Sequence, residues 1–130
     1  MNLLDSIAEY LEDEGIGTMG TDIFKGELPY DVDDCISLQF SPSPNPNKAI
    51  PYYDQTVDIW ARYKYFDTGR DQLQAIMDLL HQKESYDINS YHVYLSFALG
   101  LIDDLGRDVE RRHLFKLSLS FIYRAGAEFS

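Results

Sequence analysis

The sequence has a single cysteine, Cys35, so no intrachain disulfide forms and the fold stands on its core alone. A lone thiol makes a reducing cytoplasm the simplest setting. Long hydrophobic runs are missing too: the longest, Phe97 to Ile102, contains Gly100 and falls far short of the roughly 18 residues that cross a bilayer. No membrane span is expected. The opening residues Met1-Asn2-Leu3-Leu4-Asp5 lack a basic segment and reach an acid at once, which argues against a secretory leader. Positive charge is scarce: 11 Lys and Arg face 22 Asp and Glu, a formal net charge of −11. Such a field repels nucleic acid and anionic lipid at long range, leaving two acidic roles, a mimic of DNA or a surface that DNA passes without sticking.

Chemical motifs are also wanting. No EF-hand spacing, phosphate-cradling glycine loop or nucleophile elbow occurs, and no enzyme class is supported. His81, His92 and His113 are scattered without a pair at ligand spacing, so neither a metal nor a cofactor is expected. The paired acids Asp33-Asp34 and Asp103-Asp104 are of a kind that can form an acid–base pair or hold a divalent ion, but in turns they read as solvated. Cys35 follows Asp34, an acidic context that raises a thiol pKa, and it reads as a small core residue.

What is present is enough for one core. The chain has 130 residues, 45% hydrophobic, with seven Phe, ten Tyr and one Trp, and a single domain over residues 1–130 is expected. Leu3, Leu4, Ile7, Ala8 and Leu11 have helical spacing, which predicts a helix over the first 14 residues, stopped at Gly15. Acids at its end oppose the helix dipole, the mark of a frayed or partner-contacting terminus. Asp22 to Pro29 predicts a short strand or extended segment, and Cys35 to Phe40 alternates as a half-buried strand. Ser41 to Pro51 holds four of the five prolines and predicts a long exposed loop. From Thr56 to Tyr65, Val57, Ile59, Ala61 and Tyr63 face one way.

Leu73, Ile76, Met77 and Leu80 predict a second helix from about Asp71 to Gln82, capped by Asp67 or Thr68. Two alternating runs follow, one with Tyr91, Val93, Leu95, Phe97 and Leu99 on a common face and one with Leu117, Leu119, Phe121 and Tyr123. The polar stretch from Asp103 to Asp108 between them reads as the turn of a wide hairpin. The expected architecture is α+β: a mainly antiparallel sheet of four to five strands with two helices on one side, in the order α-β-β-β-α-β-β.

Two basic islands stand out in this acidic chain. Trp60, Arg62 and Lys64 share one strand face, and Arg107, Arg111 and Arg112 cluster near the predicted turn. They suit an acidic partner, for which a second copy of the chain qualifies, or equally well local pairing under the chain's own elements. Tyr52 and Tyr53 are likewise either interface anchors or part of a loop packed back on the sheet.

The order of features resembles a known family. After the short first helix comes Gly17-Thr18-Met19-Gly20-Thr21-Asp22-Ile23-Phe24-Lys25-Gly26-Glu27-Leu28-Pro29. Tyr53-Asp54-Gln55-Thr56-Val57-Asp58-Ile59-Trp60-Ala61-Arg62 and Asp104-Leu105-Gly106-Arg107 follow, the latter just before the last strand. This succession, spread over nearly the whole chain, resembles the minor capsid or tail terminator family of tailed bacteriophages. The chain departs from that pattern at Ser41-Pro42-Ser43-Pro44-Asn45-Pro46, where a glycine-rich stretch is usual.

The resemblance implies a structural virion protein, assembled in the host cytoplasm, that forms a hexameric ring at the head–tail interface. Such a ring caps the tail tube, ends its polymerisation and meets the head connector, while DNA passes through without specific binding. On that reading Asp22, Phe24, Lys25, Arg62, Asp104, Arg107 and Arg111 are candidates for contacts between subunits. Pro44, Pro46, Tyr52 and Tyr53 are candidates for contacts with a neighbouring ring. The competing readings are an acidic DNA-mimic inhibitor and a small ligand-binding domain.

Overall fold

The helical spacing of the first apolar residues produces α1 (Leu3–Asp13) in the computed structural model, with Leu3, Ile7, Ala8 and Leu11 buried along one stripe. The structure describes residues 3–41 and 53–125. The proline loop beyond Ser41, with Pro44, Pro46 and Tyr52, lies outside the described residues.

Alternation then builds the sheet. β1 (Ile23–Lys25) runs parallel to β2 (Cys35–Phe40), with Ile23 opposite Ile36. β2 pairs antiparallel with β3 (Tyr53–Tyr63), which in turn pairs antiparallel with β7 (His113–Ala125). Their registers set Ile36, Ala61 and Phe115 in one row and Leu38, Ile59 and Leu117 in the next. These side chains are buried and join Leu73, Ile76 and Leu80 of α2 (Phe66–Leu80), so both helices lie on the same face of the sheet. Full burial of each of these Ile, Leu and Phe side chains contributes roughly 1.5–3 kcal/mol, and of the smaller Ala61 less. Gly69 lets α2 approach closely: a Cβ there would stand 2.6 Å from Phe115 Cε2 and 2.9 Å from Tyr63 Cβ.

The remaining strands are β4 (Lys83–Ile88), β5 (Tyr91–Ala98) and β6 (Asp103–Arg107). The seven-stranded sheet has the order β1-β2-β3-β7-β5-β4, with β6 also pairing with β7. The architecture is α+β, but the expectation of four to five strands is corrected to seven among the described residues, and the sheet is mixed because β1 is parallel to β2. β4 escapes the apolar pattern because Ile88 is its one fully buried residue. β6 escapes it because all five of its residues are exposed and its pairing is supplied by β7. The expected wide hairpin is therefore two hairpin strands, β5 and β6, both laid along β7.

Two further expectations change. α2 starts at Phe66, and its N-cap, Tyr65, makes no side-chain capping bond, so neither Asp67 nor Thr68 is the cap. In β5 a bulge between Val93 and Leu95 reverses the faces. Val93 opposes Tyr123 on the core side, but beyond the bulge Ser96 and Ala98 oppose Phe121 and Leu119, and Leu95 and Phe97 turn to the outer face. The inward Ser96 Oγ donates to the Leu80 carbonyl at 2.7 Å and meets Tyr86 Oη at 2.6 Å. Burial first, with a small contribution from Tyr10, pushes the Tyr86 phenol up to about 12, against a lowering effect of the Ser96 bond.

Candidate interaction surface

A sheet edge exposes unpaired peptide groups, and this chain treats its edges unequally. The terminal strands β1 and β4 are both covered by α1. Lys25 of β1 forms an ion pair with Asp5, while the Tyr10 ring lies 5.9 Å from that of Tyr86. Asn89, just past β4, donates to Glu9 at 3.4 Å. One helix thus bridges the two ends of the strand order.

β6 receives no such cover. Asp103 and Asp104 pair with Lys116 and Phe115, the register then shifts, and Arg107 pairs with His113. Gly106, with φ of +89°, supplies the left-handed conformation in the shifted segment, and its N–H donates to Asp104 Oδ1 at 3.0 Å. Around this strand apolar side chains face solvent: Leu101 is 84% exposed, Val109 is 87% exposed, and Leu99 and Leu105 are exposed as well. Arg107 and Arg111 are exposed beside them, with no side-chain partner among the described residues.

The turn that joins β6 to β7 is built rigidly. Asp108 Oδ1 accepts the N–H groups of Glu110 and Arg112, both at 2.9 Å, and Asp108 Oδ2 accepts Arg112 Nε at 2.9 Å. Burial works against the Asp108 carboxylate, but these bonds and the guanidinium charge outweigh it and hold its pKa below the ordinary value.

Arg112 is itself buried, and its Nη1 donates to the Tyr30 carbonyl at 2.8 Å. Arg62, also buried, donates through Nη2 to the carbonyls of Pro29 and Val32, the latter at 2.6 Å. Two guanidiniums thus clasp the segment between β1 and β2. The Tyr30 ring lies 5.2 Å from the Arg112 guanidinium, and its hydroxyl donates to Glu110 at 2.9 Å. That bond to Glu110, followed by the nearby carboxylate charge, raises the Tyr30 pKa.

The structure separates the residues singled out in the sequence. Asp104, Arg107 and Arg111 come together on the exposed β6 flank. Asp22, Phe24 and Lys25 lie on the β1 side, where Asp22 Oδ1 accepts the Thr18 N–H at 2.6 Å and Lys25 is engaged by Asp5. Arg62 is turned inward on the clasped segment, and Tyr53 is exposed at the start of β3, its ring 5.6 Å from Tyr123. Sequence reasoning missed Leu101, Leu105 and Val109. The visible signal was the end of the longest apolar run spilling into a polar turn.

The histidines serve local contacts: His81 Nδ1 accepts the Ala98 N–H at 2.9 Å, His92 meets Asp87 at 2.7 Å, and His113 packs against Phe66 and Phe115. Among the described residues, no three His, Cys, Asp or Glu side chains gather as a metal site would require.

A family model described as Bacteriophage tail terminator protein matches residues 10–124, nearly the whole described chain. No curated protein matches it.

Proposed function

The chain belongs to the bacteriophage tail terminator family, and from that premise we propose that it forms a ring, hexameric in the complete particle, that caps the tail tube. The ring ends tube polymerisation, offers its far side to the head connector, and resides in the virion tail after assembly in the host cytoplasm. The match over residues 10–124 carries the reading. The physical features fit it. The net charge of −11 suits a channel wall that DNA slides past, and an exposed apolar flank suits a subunit that functions among neighbours. The protein acts by contact and geometry, as one α+β domain, with no chemical step and no cofactor.

Subunit contacts fall to the segment from Asp104 to Arg107 with Arg111, and to Asp22, Phe24 and Lys25 on the other side of the sheet. Tyr53 and the adjoining proline loop, with Pro44, Pro46 and Tyr52, face a neighbouring ring. Arg62, at the end of β3 away from Tyr53 and the proline loop, supports the clasped segment between β1 and β2 from within.

The test adds the purified chain to growing tail tubes made from the tube protein of the same phage. The expected result is arrest of growth, with a terminal ring of about 90 kDa, six copies of the 15.0 kDa chain. Tubes that lengthen unchanged, with no protein at their ends, would overturn the proposal.

A further inference from the structure

We infer that the β6 flank is one half of a head-to-tail contact between copies of this chain, and that the C-terminal turn of α1 on the next copy is the other half. The inference rests on the ring reading above and assigns it a pair of surfaces.

Three observations converge. First, α1 covers the terminal strands β1 and β4, whereas β6 presents all five residues to solvent beside the exposed Leu99, Leu101 and Val109. An uncovered edge with apolar side chains is the kind of surface that association buries. Second, Arg107 and Arg111 on this flank have no side-chain partner among the described residues, in a chain with twice as many acids as bases. Neighbouring Arg112 is consumed by Asp108 and the Tyr30 carbonyl, so the free charges are those that point outward.

Third, α1 ends in the opposite condition. Asp13 and Glu14 are exposed and without side-chain partners among the described residues, and no basic residue occupies the last turn. Their charges sit at the negative end of the helix dipole, an arrangement unfavourable within the subunit and relieved by a cation from outside. The chain leads from this turn into β1, which is separated from β6 in the sheet by β2, β3 and β7. Two different, complementary patches on separate parts of one subunit give a heterologous contact, which closes into a ring when its rotation permits.

The test is a charge exchange, scored as copies of the chain bound per tail-tube end. Arg107→Glu/Arg111→Glu and Asp13→Lys/Glu14→Lys are each expected to need about tenfold more protein for half-maximal assembly. An equal mixture of the two is expected to recover, because glutamates on one flank then meet lysines on the next copy, and native mass spectrometry should find a one-to-one composition. Thermal melts are expected to stay unchanged, since all four side chains are exposed.

Weakened single variants with no recovery in the mixture would overturn the α1 pairing while leaving the ring intact. Undiminished assembly of the arginine variant would overturn the β6 flank as a contact, again with the ring intact. A single unmodified copy bound per tube end would overturn the ring reading and this inference with it.

Discussion

The covered edge strands and the open one solve the same physical problem in opposite ways. At the covered edges, α1 spans β1 and β4 and closes them with an ion pair, an aromatic contact and buried leucines. At the open one, β6 hangs from β7 with leucines in solvent and arginines unpaired among the described residues. Exposure on the open flank is not a failure of packing, because its turn is secured by main-chain and side-chain hydrogen bonds of Asp108 and Arg112 and its base rests on the clasped segment. A flank that is both apolar and rigid is prepared for a partner at little cost in ordering entropy.

Substitutions can break or sharpen this contrast. The largest effect is expected at the covered flank: Leu11→Ala removes a fully buried side chain and should cost roughly 2–5 kcal/mol, read in urea denaturation. Next comes the support beneath the open flank. Arg112→Met deletes the donors to Asp108 and Tyr30 and should cost about 2–3 kcal/mol, with the segment around Tyr30 gaining protease sensitivity.

The acid limb of stability depends on the same pair. Because the Asp108 pKa is lower in the folded state, its contribution is complete above the ordinary carboxylate value and fades as pH falls through the folded one. Asp108→Asn should therefore flatten the stability profile in acid, and an unchanged slope would refute this role. On the covered flank the sign reverses. Tyr86 is pushed up to about 12, so its contribution is whole below about pH 10, the unfolded value, and disappears as pH rises toward 12. Tyr86→Phe should remove that alkaline loss, as followed by circular dichroism.

The smallest effect on folding, and the sharpest contrast, belongs to Leu101→Ser. Stability should change by less than about 0.5 kcal/mol, while binding to tube ends weakens. An equal loss in both would mean that Leu101 is packed like Leu11, and the distinction between flanks would collapse.

Particular residues show why some of this was legible beforehand. The alternation of Val57, Ile59, Ala61 and Tyr63 survives into β3 because that strand keeps an unbroken register with a neighbour on each side. The same kind of alternation misleads in β5, where one bulge sends Leu95 and Phe97 outward and brings Ser96 in to the α2 carbonyl. No local pattern announces β6, whose strand character comes from residues of β7. Arg62, Arg107, Arg111 and Arg112 look alike in sequence. Arg62 is distinguished by carbonyls about 30 residues away along the chain, and Arg112 by carbonyls about 80 residues away as well as by Asp108 four residues before it; only the last of these is a nearby spacing.

The clasp around Tyr30 and Val32 also gives the protein a built-in reporter. Cys35 is fully buried, with Sγ 3.7 Å from the Val32 carbonyl and 3.8 Å from Arg62. Burial raises its thiol pKa, which keeps it unreactive while the segment is seated. As the chain has no other thiol, the rate at which a maleimide labels it counts the moments when that clasp comes undone, molecule by molecule, without any engineered probe.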